Sequence, residues 1–552
     1  RRTMSVQEQL NDLVNRFYDD YYSYNPTEGR SAGFHHYLGK IPDFSYENIM
    51  GFIKRLRFYE IEAERLGREN FSRQDLADLA QLTQSIKYER FGLLQLRWWA
   101  EDPMAYEFHL DVSSYLKRNY DTLTVRAKHT ADHLKAIPHF LDQQKFNLQS
   151  PLPRINLLTT IETYKGYRNF YHEEVPQFFS DLEDGSLLMD LEHSAIRATK
   201  ALDFFINYME EILLPEATDT FAIGRFNFID MLRHGERVEI ELGKLLKVGE
   251  EDLSRNSTMF EELAHEFMPG KSTQEVMAEI AKDHPKAESL ISDTEEMLEA
   301  IRDFIIEKDL VTIPSEVRIN VEETPTFYRW AFAMCDTPGP YEKSATESFY
   351  YVTNVLDEWP DKKKEEWLTK FDYATLDGIS VHEAYPGHYV HYLHTLSAPS
   401  KVSKLAGAYS FWEGWAHYSE EMMLDEGWHE GDSRYRLAQL SEALLRDCRF
   451  ICSVKMHTQN MTVDEAKDFL MENALMAETP AQKEAERGTF DPGYLNYTLG
   501  KLMILKLRED WKVQEGDAFS LKRFHDTILS FGAPPIPLVR KLMLTTDDGK
   551  IL

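Results

Sequence analysis

Only three cysteines occur in the 552 residues, Cys335, Cys448 and Cys452. That number excludes a disulfide scaffold and a zinc site built from cysteine alone. Cys448 and Cys452 stand four apart in a helical stretch, on a shared face whose geometry suits a disulfide poorly. Apolar runs of the roughly 18–20 residues that a membrane helix needs are also missing, so no integral membrane segment is expected. The start, RRTMSVQEQL, carries no apolar signal core. A trimmed export signal is nonetheless compatible with it, and the compartment stays open between cytoplasmic and extracytoplasmic. Gly/Ser-rich linkers, low-complexity tracts and internal repeats are absent. Positive charge is in deficit, with 62 Lys and Arg against 93 Asp and Glu and a formal charge of -31. A field of that sign repels phosphate backbones and anionic lipid. Nucleic acid and membrane surfaces therefore leave the expected partners, and neutral or cationic peptides remain. The plainer reading is that the charge keeps a large protein in solution. Oligomeric state is not legible.

What is present is a composition able to bury a large core, 43% hydrophobic. Apolar residues recur every three or four positions over 5–22, 259–268 and 289–309, which predicts amphipathic helices. Turn signals punctuate them at 25–29 (NPTEG), 101–103, 268–272, 336–340 and 532–537. Strand signals are few. VTIPSEVRINVEE (311–323) alternates β-branched and polar residues, and SFYYVTN (348–354) is aromatic and β-branched. The expected class is mainly α, with a small sheet beside the site described next. A coarse division falls near 310, with a helical scaffold over 1–310 and the concentrated chemistry over 311–552, and with no linker between them the two parts are expected to form one compact unit around a cleft. The second strand is a candidate edge for an extended peptide.

The concentrated chemistry begins at VHEAYPGH. Metal hydrolases place HExxH on a helix, where two histidines four apart face one ion and the Glu activates water. Here His382 and His388 are six apart, which on an unbroken helix turns the side chains about 120° from each other. Pro386 and Gly387 lie between them, and a bulge or break there would bring His388 back. The best third ligand is Glu413, in SFWEGWAHYSEEMM 25 residues on. His417 and Glu420 share its helical face as runners-up, and Glu420 alternatively holds a ligand histidine in its tautomer. Against the metal reading, His388, His391 and His394 also fit an interfacial stripe.

HEAYPGH followed by FWEGWAHYSEE resembles the bacterial domain of unknown function 885 family, which is grouped with zinc peptidases of the gluzincin type. The likeness extends through NPTEGRSAGFHHYLGKIPDFS (25–45), RWWAEDPMAY (97–106), LRDCRFICSVKMHTQNMTVDEA (445–466) and ERGTFDPGYLNYTLGKLMI (486–504). A more distant likeness runs to thimet-type oligopeptidases and Taq-type carboxypeptidases. The resemblance implies a large helical, zincin-like fold with a deep cleft, Glu413 as ligand and Glu420 as its support. The two extra residues between the histidines depart from the HExxH pattern.

One zinc ion suits two imidazoles, a carboxylate and a water. Glu383 would then be the general base. Tyr497 is the first candidate donor to the oxyanion, by resemblance and because a phenol donates without adding charge. Tyr494 is its alternative, and His457 is a second candidate by resemblance. Arg446, Arg449 and Arg487 are candidates to clamp a substrate carboxylate, although each singly is read more readily as an ion-pair partner of the many acids. Tyr385 either lines the site or packs. The expected function is a zinc-dependent metallopeptidase acting on short peptides. The alternatives are a hydrolase of a non-peptide amide or ester, and an inactive peptide-binding relative.

Overall fold

The computed structural model describes residues 4–326 and 331–552. Helix dominates, with one three-stranded sheet among the described residues. The chain forms two compact units, one of Arg1–Ile223 with Pro338–Thr346 and the other of Gly224–Thr337 with Glu347–Leu552.

In the first unit, helix α1 (Val6–Tyr24) covers the expected amphipathic stretch. Ser5 and Glu8 close a capping box at its start, satisfying two backbone donors that would otherwise be orphaned. Its buried face carries Leu10, Leu13, Phe17 and Tyr18. The turn expected at NPTEG is instead the opening of a short helix, Pro26–Ser31. Proline at the first helical position needs no backbone donor there and has its φ already set. Long helices α2 (Leu123–Asn147) and α3 (Gly185–Tyr208) pack side by side. The segment 338–346 joins this unit, where Tyr341 stacks on Phe34 at 4.8 Å and Glu342 meets His35 at 2.9 Å.

The second unit begins well before the expected division near 310. Helix α4 (Leu242–Phe267) takes in all but the last residue of the predicted 259–268 segment, and α5 (Leu290–Glu307) falls within the predicted 289–309. Gly249 of α4 lies so close to Phe450 that a Cβ there would stand 2.4 Å from the ring. Asn256 donates to Asp447 at 2.8 Å. These long-range contacts make α4 a wall of the unit that carries the chemistry, and no local signal near 224 announced that.

The sheet consists of β1 (Asn320–Glu323), β2 (Ala333–Asp336) and β3 (Phe349–Val352). β3 lies in the middle, parallel to β1 and antiparallel to β2. The strand expected over 311–323 shrinks to its last four residues. Pro314 cannot donate to a ladder, and Thr312 gives its N–H to the Asp526 carboxylate at 2.8 Å rather than to a strand. β2 was not anticipated. Because β3 is flanked on both sides, it has no edge to offer an extended peptide, which overturns that expectation.

Candidate metal centre

Helix α6 (Tyr373–Glu383) is started by Asp372, which accepts from the N–H of Thr375 at 2.9 Å. It ends directly after the HE pair, with His382 buried in its last turn. Ala384 leaves helical geometry at φ -114° and ψ -82°, and the Tyr385–Pro386 peptide is cis. Gly387 sits at φ -65° and ψ -127°, and its N–H returns to the carbonyl of Val381 at 3.0 Å. A Cβ at Gly387 would stand 1.8 Å from the His382 carbonyl oxygen, so only glycine allows this close a return. Helix α7 (His388–Leu396) begins at once. Trp415 donates its indole N–H to the Pro386 carbonyl at 2.9 Å and ties the break to the helix Tyr409–Asp425. The 120° disagreement of an unbroken helix is thereby removed: His388 is the first residue of a new one.

That helix, α8 (Tyr409–Asp425), brings Glu413. Its Oε2 lies 3.3 Å from Nε2 of His382 and 3.3 Å from Nε2 of His388. The two imidazoles are nearly perpendicular, with ring centroids 4.8 Å apart. One ligand atom from each of the three residues falls within 4.8 Å of the others, the one such group of His, Cys, Asp or Glu among the described residues. The His388 and Glu413 side chains keep 19% and 22% of their surface exposed, so the group is reachable from solvent. Glu413 Oε2 is itself buried and makes no well-formed hydrogen bond.

The runners-up sort themselves by geometry. Glu420 Oε2 faces Nδ1 of His382 at 3.2 Å and Nδ1 of His417 at 2.8 Å. A carboxylate only accepts, so both ring nitrogens donate to it, and a neutral His382 presents its Nε2 lone pair toward Glu413. His417 is therefore not brought to the ligand group. Burial pushes its pKa down to about 4, with the nearby Lys501 adding to the effect. At His382 burial works against charge, but Glu413 and Glu420 on either side outweigh it and hold the pKa well above the usual imidazole value. Burial likewise opposes charge on Glu413, and the facing His388 and His382 overcome it and hold the carboxyl well below its usual range.

Glu383 points to the sheet, where its Oε2 accepts the backbone N–H of Cys335 at 3.0 Å. The strand missed in the sequence thus holds the candidate base. Helix α9 (Ser433–Thr458) contributes Arg446 and Arg449. The helix Glu478–Phe490, α10, contributes Arg487. The helix Asn496–Glu515, α11, contributes Tyr497. α8 and α11 cross almost backbone to backbone, since a Cβ on Gly414 would meet Gly500 Cα at 2.5 Å and one on Gly500 would meet Ser410 O at 1.9 Å. That crossing sets the Tyr497 ring 6.4 Å from the His382 ring and roughly parallel to it. Arg487 donates to the Tyr497 hydroxyl at 3.3 Å, which leaves the phenolic hydrogen to point elsewhere.

Three candidates fall away. Tyr494 lies in the turn before α11, fully buried, with its hydroxyl filling the space that Gly488 leaves and bonded to nothing. His457 is eight residues beyond Arg449 on the same helix, about 12 Å farther along its axis. Its Nε2–H donates to the Gly488 carbonyl at 2.6 Å, and burial pushes its pKa down to about 4, so it is a structural histidine. Tyr385 packs edge-on against Tyr389, and its hydroxyl accepts from Ile319 N–H at 3.5 Å, so it braces the break from behind. The stripe reading holds for the two later histidines: His391 donates to the Gly532 carbonyl and His394 to that of Thr312. Sequence reasoning also missed Tyr409. It lies one turn before Glu413, with its ring 5.9 Å from that of Tyr497 and its hydroxyl within 3.2 Å of Arg487. The i, i+4 spacing from Glu413 was the available signal.

A family model described as bacterial protein of unknown function (DUF885) matches residues 26–543. The chain belongs to this family. The DUF885 chain also superimposes on two solved structures. One is described as a "putative lipoprotein of unknown function" from Shewanella oneidensis, with 21% identity, a TM-score of 0.82, and 98% of this chain and 100% of that one covered. The other is described as a "putative lipoprotein" from Colwellia psychrerythraea, with 18% identity, a TM-score of 0.83, and 98% and 99% covered. At that identity the likeness establishes the fold of the whole chain. No curated protein matches it. No helix of the DUF885 chain among the described residues is long and apolar enough to cross a membrane.

Proposed function

We propose that this protein is a zinc-dependent metallopeptidase acting on short peptides. The observation that carries the reading is the spacing of the ligand atoms. Two ligands held about 2.0–2.1 Å from a tetrahedral zinc lie about 3.3 Å from each other. The separations from Glu413 Oε2 to the two imidazole Nε2 atoms are both 3.3 Å. The buried Glu413 Oε2, which makes no well-formed hydrogen bond, fits a divalent cation as well. His382, His388 and Glu413 would hold the ion, and Glu420 would fix the His382 tautomer.

Bound there, zinc would supply Lewis acidity to a scissile carbonyl and to an attacking water. Glu383, oriented by the Cys335 N–H, takes a proton from the water and passes it to the leaving amine. Tyr497 keeps its hydroxyl hydrogen available, because Arg487 donates to its oxygen, and so it is the donor to the developing oxyanion. The descriptions of the two similar structures as lipoproteins support an extracytoplasmic setting, to be checked by cell fractionation. The test of function is Glu383→Gln. Peptide hydrolysis falls by a factor of roughly 10²–10⁴ while zinc content is unchanged. A zinc-loaded wild type that cleaves esters or non-peptide amides but no peptide in a broad library would refute the peptidase reading.

A further inference from the structure

Three arginines surround the Tyr497 ring, with guanidinium carbons 5.7 Å (Arg446), 5.0 Å (Arg449) and 5.8 Å (Arg487) from its centre. Two are committed. Arg449 is forked onto Glu484 through two hydrogen bonds of 2.8 Å, with 8% of its side chain exposed. Arg446 pairs with Glu442 and faces Glu420 at 3.7 Å, with 10% exposed. Arg487 differs. Asp491 holds both Nε, at 3.1 Å, and Nη2, at 3.0 Å, and Nη2 also spans the hydroxyls of Tyr409 at 3.2 Å and Tyr497 at 3.3 Å. Its Nη1 makes no hydrogen bond or ion pair among the described residues, and 31% of the side chain is exposed. A guanidinium fixed on one edge and open on the other is preorganised to receive a carboxylate.

We infer that Arg487 anchors the C-terminal carboxylate of the substrate, so that the protein cuts near a free C-terminus. This rests on the peptidase reading above. The reach follows from two spans: 5.8 Å from the guanidinium carbon to the Tyr497 ring, and 6.4 Å from that ring to the His382 ring. Laid end to end they correspond to at most about three residues of extended chain at ~3.4 Å each. The carboxylate therefore belongs to the leaving fragment, one to three residues beyond the scissile bond. In a chain of formal charge -31, a guanidinium beside the centre with Nη1 still open attracts a carboxylate while the surrounding field disfavours more highly charged anions.

The test uses the full zinc-loaded chain and a peptide library synthesised in matched pairs, with a free C-terminal acid or its amide. The acid form is expected to show kcat/KM higher by roughly tenfold to a hundredfold, the worth of a charged hydrogen-bonded pair. Arg487→Gln should erase that gap by raising KM for the acid and not for the amide, on top of a fall in kcat shared by both because Arg487 also orients the Tyr497 hydroxyl, and Arg487→Lys should restore part of the gap. Equal handling of acid and amide by the wild type, or a KM gap between them that survives in Arg487→Gln, overturns the anchor and leaves the peptidase reading intact. The same pairs bound to Glu383→Gln by calorimetry separate the two ideas. A preference for the acid that disappears in the Arg487→Gln double variant supports the anchor even where the wild type hydrolyses nothing. No preference in that binding overturns it.

Discussion

Gly387→Ala removes the condition on which the whole centre depends. The added methyl would stand 1.8 Å from the His382 carbonyl oxygen and 2.4 Å from that of Val381. Folded proteins essentially never hold a Cβ closer than 3.0 Å to another atom, so the loop must open by more than an ångström. The obstructing atoms are backbone at the end of α6 and cannot rotate away. Metal ligation tolerates displacements of about 0.2 Å, and a misplacement near 1 Å in a functional group costs about a hundredfold. Zinc affinity is therefore expected to fall by about a hundredfold or more. The assay is competition against a chromophoric chelator, with circular dichroism to show that the helices persist. Gly378→Ala is the matched control on the same helix. A Cβ there meets nothing within 4 Å, so it should bind zinc normally and gain up to about 1 kcal/mol of helix stability. Wild-type zinc affinity in Gly387→Ala would refute the claim that this glycine permits the ligation.

Other outcomes follow from neighbouring residues. Glu420→Gln keeps an oxygen able to accept from both histidines but loses the negative charge that faces them, so zinc affinity should fall about 10–100-fold, read by the same competition, with the fold retained. His457→Gln should leave peptide hydrolysis within a factor of about two while costing about 1–3 kcal/mol in denaturant titrations, through the lost bond to Gly488; a large loss of kcat would return it to the site. Gly500→Ala forces α8 and α11 apart and should lower stability by about 1–3 kcal/mol, together with activity, because Tyr497 rides on that crossing. Burial pushes the Glu236 carboxyl up to about 7, against hydrogen bonds from Ser410 that lower it. The folded state thus holds a proton that the unfolded chain releases above its ordinary pKa of 4.5. The stability this provides is present in acid and is lost as pH rises from about 4.5 through about 7. Denaturant midpoints should fall between pH 5 and pH 8, and Glu236→Gln should flatten the fall.

The motif was legible because its chemistry is carried by residue type: His382, Glu383, His388 and Glu413 are few, polar and close in sequence. The break between α6 and α7 was legible as a permission, since Pro386 and Gly387 weaken a helix, but its sense came only from the packed chain that folds Gly387 onto Val381. Long helices were readable from their apolar period. β2 was not, because Ala333–Asp336 shows no alternation and is half-buried throughout. Apart from the family resemblance that put Tyr497 first, nothing in the residues separated Tyr494 from Tyr497. One lies in a turn and the other in the first turn of a helix, and only the Gly414–Gly500 crossing decides which meets His382. The division between the units escaped because it depends on α4 packing against α9, contacts nearly two hundred residues apart in the chain.

The most direct test is anomalous diffraction above and below the zinc edge from crystals of the zinc-loaded chain. The account predicts one peak about 2.0–2.2 Å from Nε2 of His382, Nε2 of His388 and a carboxylate oxygen of Glu413. A centre without a peak after zinc loading, or a peak ligated by other residues, would contradict it.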